Sequence, residues 1–135
     1  LIKTACLGMI VLILVGCVTG GKDETSNTTP NNIGQLRSIS IAKRDAYLKC
    51  VKDASMQYAK STSTPNDVAQ AAIGKCDSNL ASVELAFFNQ VSAVGKGSMI
   101  DLDIKLSKEA AVELKEQAYR DAIRFVIEDR MQSSN

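Results

Sequence analysis

Apolar and polar positions divide this chain into three zones. Leu7 to Val15 is an almost wholly aliphatic run, preceded by Lys3 and closed by the small Gly16. Residues 18–36 are rich in Gly, Ser, Thr, Asn and Pro without an apolar period, the composition of a flexible tether. Beyond them the apolar positions recur at helical intervals. Tyr47, Cys50, Val51, Ala54 and Tyr58 share one face of a helix from about Ser38 to Lys60, and Lys43, Arg44, Lys49, Lys52 and Asp53 occupy the other.

Ser61-Thr62-Ser63 ends that pattern, and Thr64-Pro65-Asn66-Asp67 opens the next. A threonine hydroxyl can cap the first turn, proline suits the first helical position, and the Asp67 carboxylate meets the positive end of the dipole. The stripe Val68, Ala72, Cys76, Leu80, Val83, Phe87, with Val91 as its last member, predicts one unbroken helix. Gly95-Lys96-Gly97-Ser98 reads as a turn. Residues 99–106 carry two patterns at once. Ile100, Leu102, Ile104 and Leu106 alternate with polar residues as in a strand. Ile100 and Ile104 also continue the stripe Ala111, Leu114, Ala118, Ala122, Phe125, and Asp101–Lys105 has the spacing of a helical ion pair. A lone strand has no partner here, which favours helix or an extended lead-in. The last helix runs from Ser107, read as its N-cap, to about Met131. Glu109, Glu113 and Glu116 lie toward its start and Arg124 and Arg130 toward its end, as the helix dipole prefers.

The expected fold is therefore all-α: an antiparallel helical hairpin and a third long helix, a three-helix bundle over residues 37–132, with 133–135 disordered. The hairpin has a register. Cys50 and Cys76 are equidistant from Ser63, as are Ala54 and Ala72, and Tyr58 and Val68. A disulfide needs Cα atoms within about 7 Å, and the small alanines let the helices approach closely. Closing the loop from Cys50 to Cys76 stabilises by roughly 3.5 kcal/mol in the chain-entropy estimate. Redox-active dithiols favour close spacing and partial exposure. This pair is far apart in sequence and lies on apolar stripes, so the bridge is read as structural.

Composition narrows the chemistry. The chain has no histidine and no tryptophan, and only three Tyr and three Phe. The commonest general base and metal ligand is thus absent, and aromatic binding platforms have little to be built from. Without Lys3, the basic and acidic groups balance at 15 each, and no basic cluster marks a nucleic-acid surface. Asp101-x-Asp103 lacks the remaining ligands and glycine of a calcium loop. Glu109, Glu113 and Glu116 lie on a solvated helix face, and neither group marks a shared acid–base pocket. The Gly95–Ser98 turn does not match the phosphate-loop pattern. No catalytic, metal or cofactor site is expected. Phe87 fits the core stripe, and Phe88, turned about 100° from it, is either packed on the third helix or a partner-docking residue.

Lys3, the short apolar run and Leu14-Val15-Gly16-Cys17 have the layout of a secretory signal. The run is shorter than the roughly 20 residues that a membrane span needs. The tetrapeptide resembles the lipobox of bacterial lipoprotein precursors. That resemblance covers residues 1–17 and implies removal of residues 1–16 as a signal peptide and a diacylglyceryl group on the Cys17 thiol. It also implies anchoring of residues 17–36 as tether. Val18, where an inner-membrane lipoprotein resembling this class would carry aspartate, implies the outer membrane, facing the periplasm. Cys6 goes with the signal, so Cys50 and Cys76 remain as a pair in a compartment that permits disulfides. The later region resembles small helical envelope proteins with a Tyr-x-x-Cys-Val helix, here Tyr47–Val51, and an Ala-Ala-Ile-x-x-Cys helix, here Ala71–Cys76. The expected function is a non-enzymatic envelope lipoprotein that binds or structurally supports another envelope protein. The alternative is a defensive or inhibitory lipoprotein, a surface-exclusion or immunity factor carried on a mobile element.

Overall fold

The computed structural model describes residues 33–96 and 98–134. The apolar run, Cys17 and the tether up to residue 32 lie outside the described residues. All regular structure described is helical: α1 (Ile33–Tyr58), α2 (Pro65–Lys75), α3 (Asp77–Val94) and α4 (Ile100–Ser133). α1 begins inside the stretch read as tether, because Leu36 is buried and holds its first turns in place.

The Ser40 hydroxyl donates to the Ala86 carbonyl at 3.1 Å, and a disulfide joins Cys50 to Cys76 with their Cα atoms 6.0 Å apart. α1 therefore runs antiparallel to α2 and then α3, in the register centred on Ser63. The Thr64 cap forms as expected, its hydroxyl oxygen accepting from the Asp67 N–H at 3.3 Å, with Pro65 in the first turn. α4 returns along the others. Near its start Ser92 donates to Asp103 at 3.0 Å. Near its end Arg130 donates to the carbonyls of Ala59, Ser61 and Ser63 at 3.0, 2.9 and 2.8 Å. One side chain thus ties the end of α4 to the α1–α2 turn.

Four expectations are corrected. The second helix is not continuous, so the described residues hold four helices and not three. At Cys76 the backbone leaves helical geometry (φ −102°, ψ 11°), and its N–H bonds to the Ile73 carbonyl at 3.0 Å. Gly74 weakens the helix just before this point, and Asp77, Ser78 and Asn79 are residue types that favour starting a new one. Next, residues 100–106 are helical, one of the two options the sequence favoured, so Ser107 is not an N-cap. It is buried inside α4, donating to the Ile104 carbonyl at 2.9 Å. Lys105 pairs with Glu109 at 3.8 Å, one turn on, rather than with Asp101. At the other end α4 reaches Ser133, one residue into the expected disordered tail.

The main core draws Tyr47, Val51 and Ala54 from α1, Ala69, Ala72 and Ile73 from α2, and Leu114, Ala118 and Ala122 from α4, closed by Cys76 and Val83. So many alanines bring helix axes close, and Tyr47 fills the space between them. Its hydroxyl is buried and has no hydrogen-bond partner among the described residues. Burial, and then the Asp77 carboxylate, push the Tyr47 pKa from 10.0 up to about 12. A smaller cluster of Ala59, Val68 and Val126 lies by the α1–α2 turn.

Candidate functional site

The two halves of the bundle differ in what they bury. From Val83 and Leu114 toward the α1–α2 turn the interior is apolar apart from Ser55, whose hydroxyl donates to the Val51 carbonyl. Toward the opposite end the buried residues are Leu36, Ser40, Ala86, Ala111, Asp103 and Ser107, which are mostly small or polar. The first two turns of α4 are in fact inverted. Asp103 and Ser107 face inward at 5% and 2% exposure, while Ile100, Leu102, Ile104 and Leu106 remain 38–55% exposed. Asp103 is accommodated by the Ser92 hydroxyl, which donates to its carboxylate at 3.0 Å. Water-soluble helices ordinarily place these residue types the other way round, so the inversion marks a surface suited to apolar contact.

The end face itself is apolar too. Because Ser40 lies beside Ala86, Ile33 comes level with the end of α3, where Val94 and then Met99 and Ile100 follow. These four are 50–63% exposed. Gly95 closes α3 by donating to the Val91 carbonyl at 2.9 Å, and Ser98 turns back onto the Gly95 carbonyl. Lys96, between them, has φ 53°, a left-handed conformation normally given to glycine.

A groove of about 470 Å³ opens beside this end, between α1 and α4 and floored by α3. Val83, Phe87, Leu114 and Ile41 supply its apolar surface, and Arg37 and Arg44 stand two turns apart on its α1 rim, across from Glu113. Neither arginine makes an ion pair among the described residues. A second groove, of about 560 Å³, lies along α2 and α4 and includes Ile73, Gly74 and Tyr119. Its charges already neutralise one another, Lys115 with Asp77 at 3.9 Å and Arg120 with Glu116 at 3.9 Å. It offers a ligand less unsatisfied charge.

The sequence-predicted residues distribute as follows. Cys50 and Cys76 are joined inside the core region. Cys17 lies outside the described residues. Phe87, expected in the core, is half-buried and lines the first groove, while Phe88 is half-buried and does not line it. Asp101 is exposed and Asp103 buried, so the two carboxylates do not share a cavity. No group of three or more His, Cys, Asp or Glu able to hold a metal occurs among the described residues, and none of the described helices is long and apolar enough to cross a membrane. Arg37 and Arg44 were not singled out as a pair from sequence, although their spacing of two helical turns places them on one face. No protein-family model, no curated protein and no solved structure matches this chain.

Proposed function

We propose that this chain is a lipid-anchored, non-enzymatic binding protein of the bacterial cell envelope, held by Cys17 and facing the periplasm. Its partner is another envelope protein, which presents an apolar segment with an acidic flank to the groove between α1 and α4. The observation that carries this reading is the groove's construction: an apolar floor beneath Arg37 and Arg44, which make no ion pair among the described residues. An arginine on the rim of an apolar cleft adds a charge-assisted hydrogen bond to a carboxylate once the cleft is covered. Separated carboxylates at Asp101 and Asp103, and thiols joined to each other, support a binding role over a catalytic one. The half-buried Phe88 remains a candidate for the margin of the same interface. A disulfide between Cys50 and Cys76 suits an oxidising compartment, in keeping with export.

The test has two arms. Cys17→Ser should release the protein from membranes and remove the mass of the lipid. If membrane partition and mature mass are unchanged, the anchor reading fails. A photo-crosslinking residue at exposed Ile41 should capture a discrete envelope partner in cells. The capture should vanish in Arg37→Glu/Arg44→Glu at unchanged melting temperature. Capture that survives this double charge reversal refutes the groove as the binding site.

A further inference from the structure

We infer that the apolar end of the bundle, Ile33 with Val94, Met99 and Ile100, rests on the surface of the lipid bilayer. This rests on the lipid-anchor reading and adds to it an orientation: the domain stands on its end, not held away from the membrane. Three observations converge on that end. Its four large apolar side chains are each at least half exposed. The first turns of α4 just behind it carry Leu102 and Ile104 outward and Asp103 and Ser107 inward, the reverse of a face turned to water. Finally, the chain leads from Cys17 into this same end, because α1 begins at Ile33.

The length of that lead decides the occupant. Sixteen residues, 17–32, separate Cys17 from Ile33, and a random coil of that length spans roughly 20–24 Å root-mean-square. A lipid on Cys17 therefore keeps the Ile33 end within a few nanometres of the headgroups at all times. Tethering of this kind supplies a local concentration on the order of millimolar, so contact by a few side chains suffices for docking. The opposite end, with the Arg130-tied turn, is held a bundle's length away. Lys96 fits the same geometry. It projects from the loop between Val94 and Met99 in a left-handed backbone conformation, and a lysine beside inserted apolar residues keeps its ammonium at headgroup level while its stem lies in the apolar layer.

The test uses the full lipidated chain. With Cys17 lipidated and Cys50 joined to Cys76, Met99→Cys introduces one reactive thiol for a polarity-sensitive fluorophore, and Thr62→Cys provides the same at the opposite end. In phosphatidylethanolamine/phosphatidylglycerol vesicles the label at 99 should shift to the blue and lose most of its emission to a lipid-borne quencher. The label at 62 should do neither. A label at 99 that stays solvent-like, on protein whose mass shows the lipid, overturns the docking while leaving the anchor intact. A blue shift that resists the lipid quencher and grows with protein density would assign this end to a second copy of the chain, and overturns it equally. Protein without the lipid mass, labelled at Cys17 as well, overturns the anchor reading and the orientation with it.

Discussion

Cys76 is the residue at which α2 gives way to α3, and the same residue is bonded to Cys50 in the middle of α1. The break in the hydrogen-bond ladder is therefore held by a covalent link and by core packing around Cys76, which is fully buried. A domain of this size has a modest core, and the link restricts its unfolded chain.

Reduction, or the pair Cys50→Ala/Cys76→Ala, should cost about 3 kcal/mol. For a domain of roughly 100 residues that corresponds to a fall in melting temperature on the order of 15 °C. Thermal melts with and without reductant measure it, and peptide mapping without reduction should recover one cross-linked pair. Two alkylatable thiols in the folded protein would contradict the bridge.

Arg130→Ala should destabilise by about 1–2 kcal/mol, because the carbonyls of Ala59, Ser61 and Ser63 lose a shared donor. Arg130→Lys should restore only part of this, since an ammonium cannot reproduce the guanidinium's fork. Denaturant midpoints at unchanged slope would report both values. Full rescue by lysine would show that charge alone matters at this position.

Tyr47 makes stability fall at high pH. Its pKa is raised from 10.0 to about 12 in the fold, so the folded chain retains a proton that the unfolded chain has lost. The stabilisation is fully present below pH 10 and is lost as pH rises toward 12, by an amount on the order of 2–3 kcal/mol. In Tyr47→Phe the hydroxyl that lacks a partner is gone, and stability near pH 7 should be equal or slightly higher. Chemical denaturation of both proteins between pH 8 and about 12 tests the sign: curves that stay parallel would refute it.

Lys96→Gly should stabilise the domain by about 1 kcal/mol, because a left-handed backbone at φ 53° costs lysine more than glycine. The gain will appear as a higher melting temperature with unchanged helix content. No gain would mean that the lysine side chain makes up the difference through its own contacts.

The parts of the fold legible in sequence are those where one periodicity dominates. Tyr47, Val51 and Ala54 facing Ala72 and Cys76 follow from a stripe and a midpoint at Ser63, and the Thr64 cap follows from side-chain chemistry. The break at Cys76 was not legible because the apolar stripe runs straight through it, and stripe position is insensitive to a single non-helical residue. The beginning of α4 misled for a related reason. Ile100, Leu102, Ile104 and Leu106 alternate like a strand because they flank, on both sides, an inward face made of Asp103 and Ser107. A helix that buries polar residues between exposed apolar ones produces that alternation. Burial of Asp103 depends on the distant Ser92, which local sequence does not reveal. The Arg37–Arg44 groove depends likewise on how far α1 and α4 diverge over Phe87.

The disulfide also determines how the molecule carries a mechanical load. A pull on the residues that precede α1 enters at Ile33 and, against a grip on α3 or α4, can peel α1 away only as far as Lys49. At Cys50 the tension crosses the sulfur–sulfur bond to Cys76 and continues into α3. Residues 51–75, with the α1–α2 turn and much of the apolar core, are then bypassed and bear no strain. The bridge works as a stop on extension, leaving residues 51–75 slack while the first turns of α1 yield.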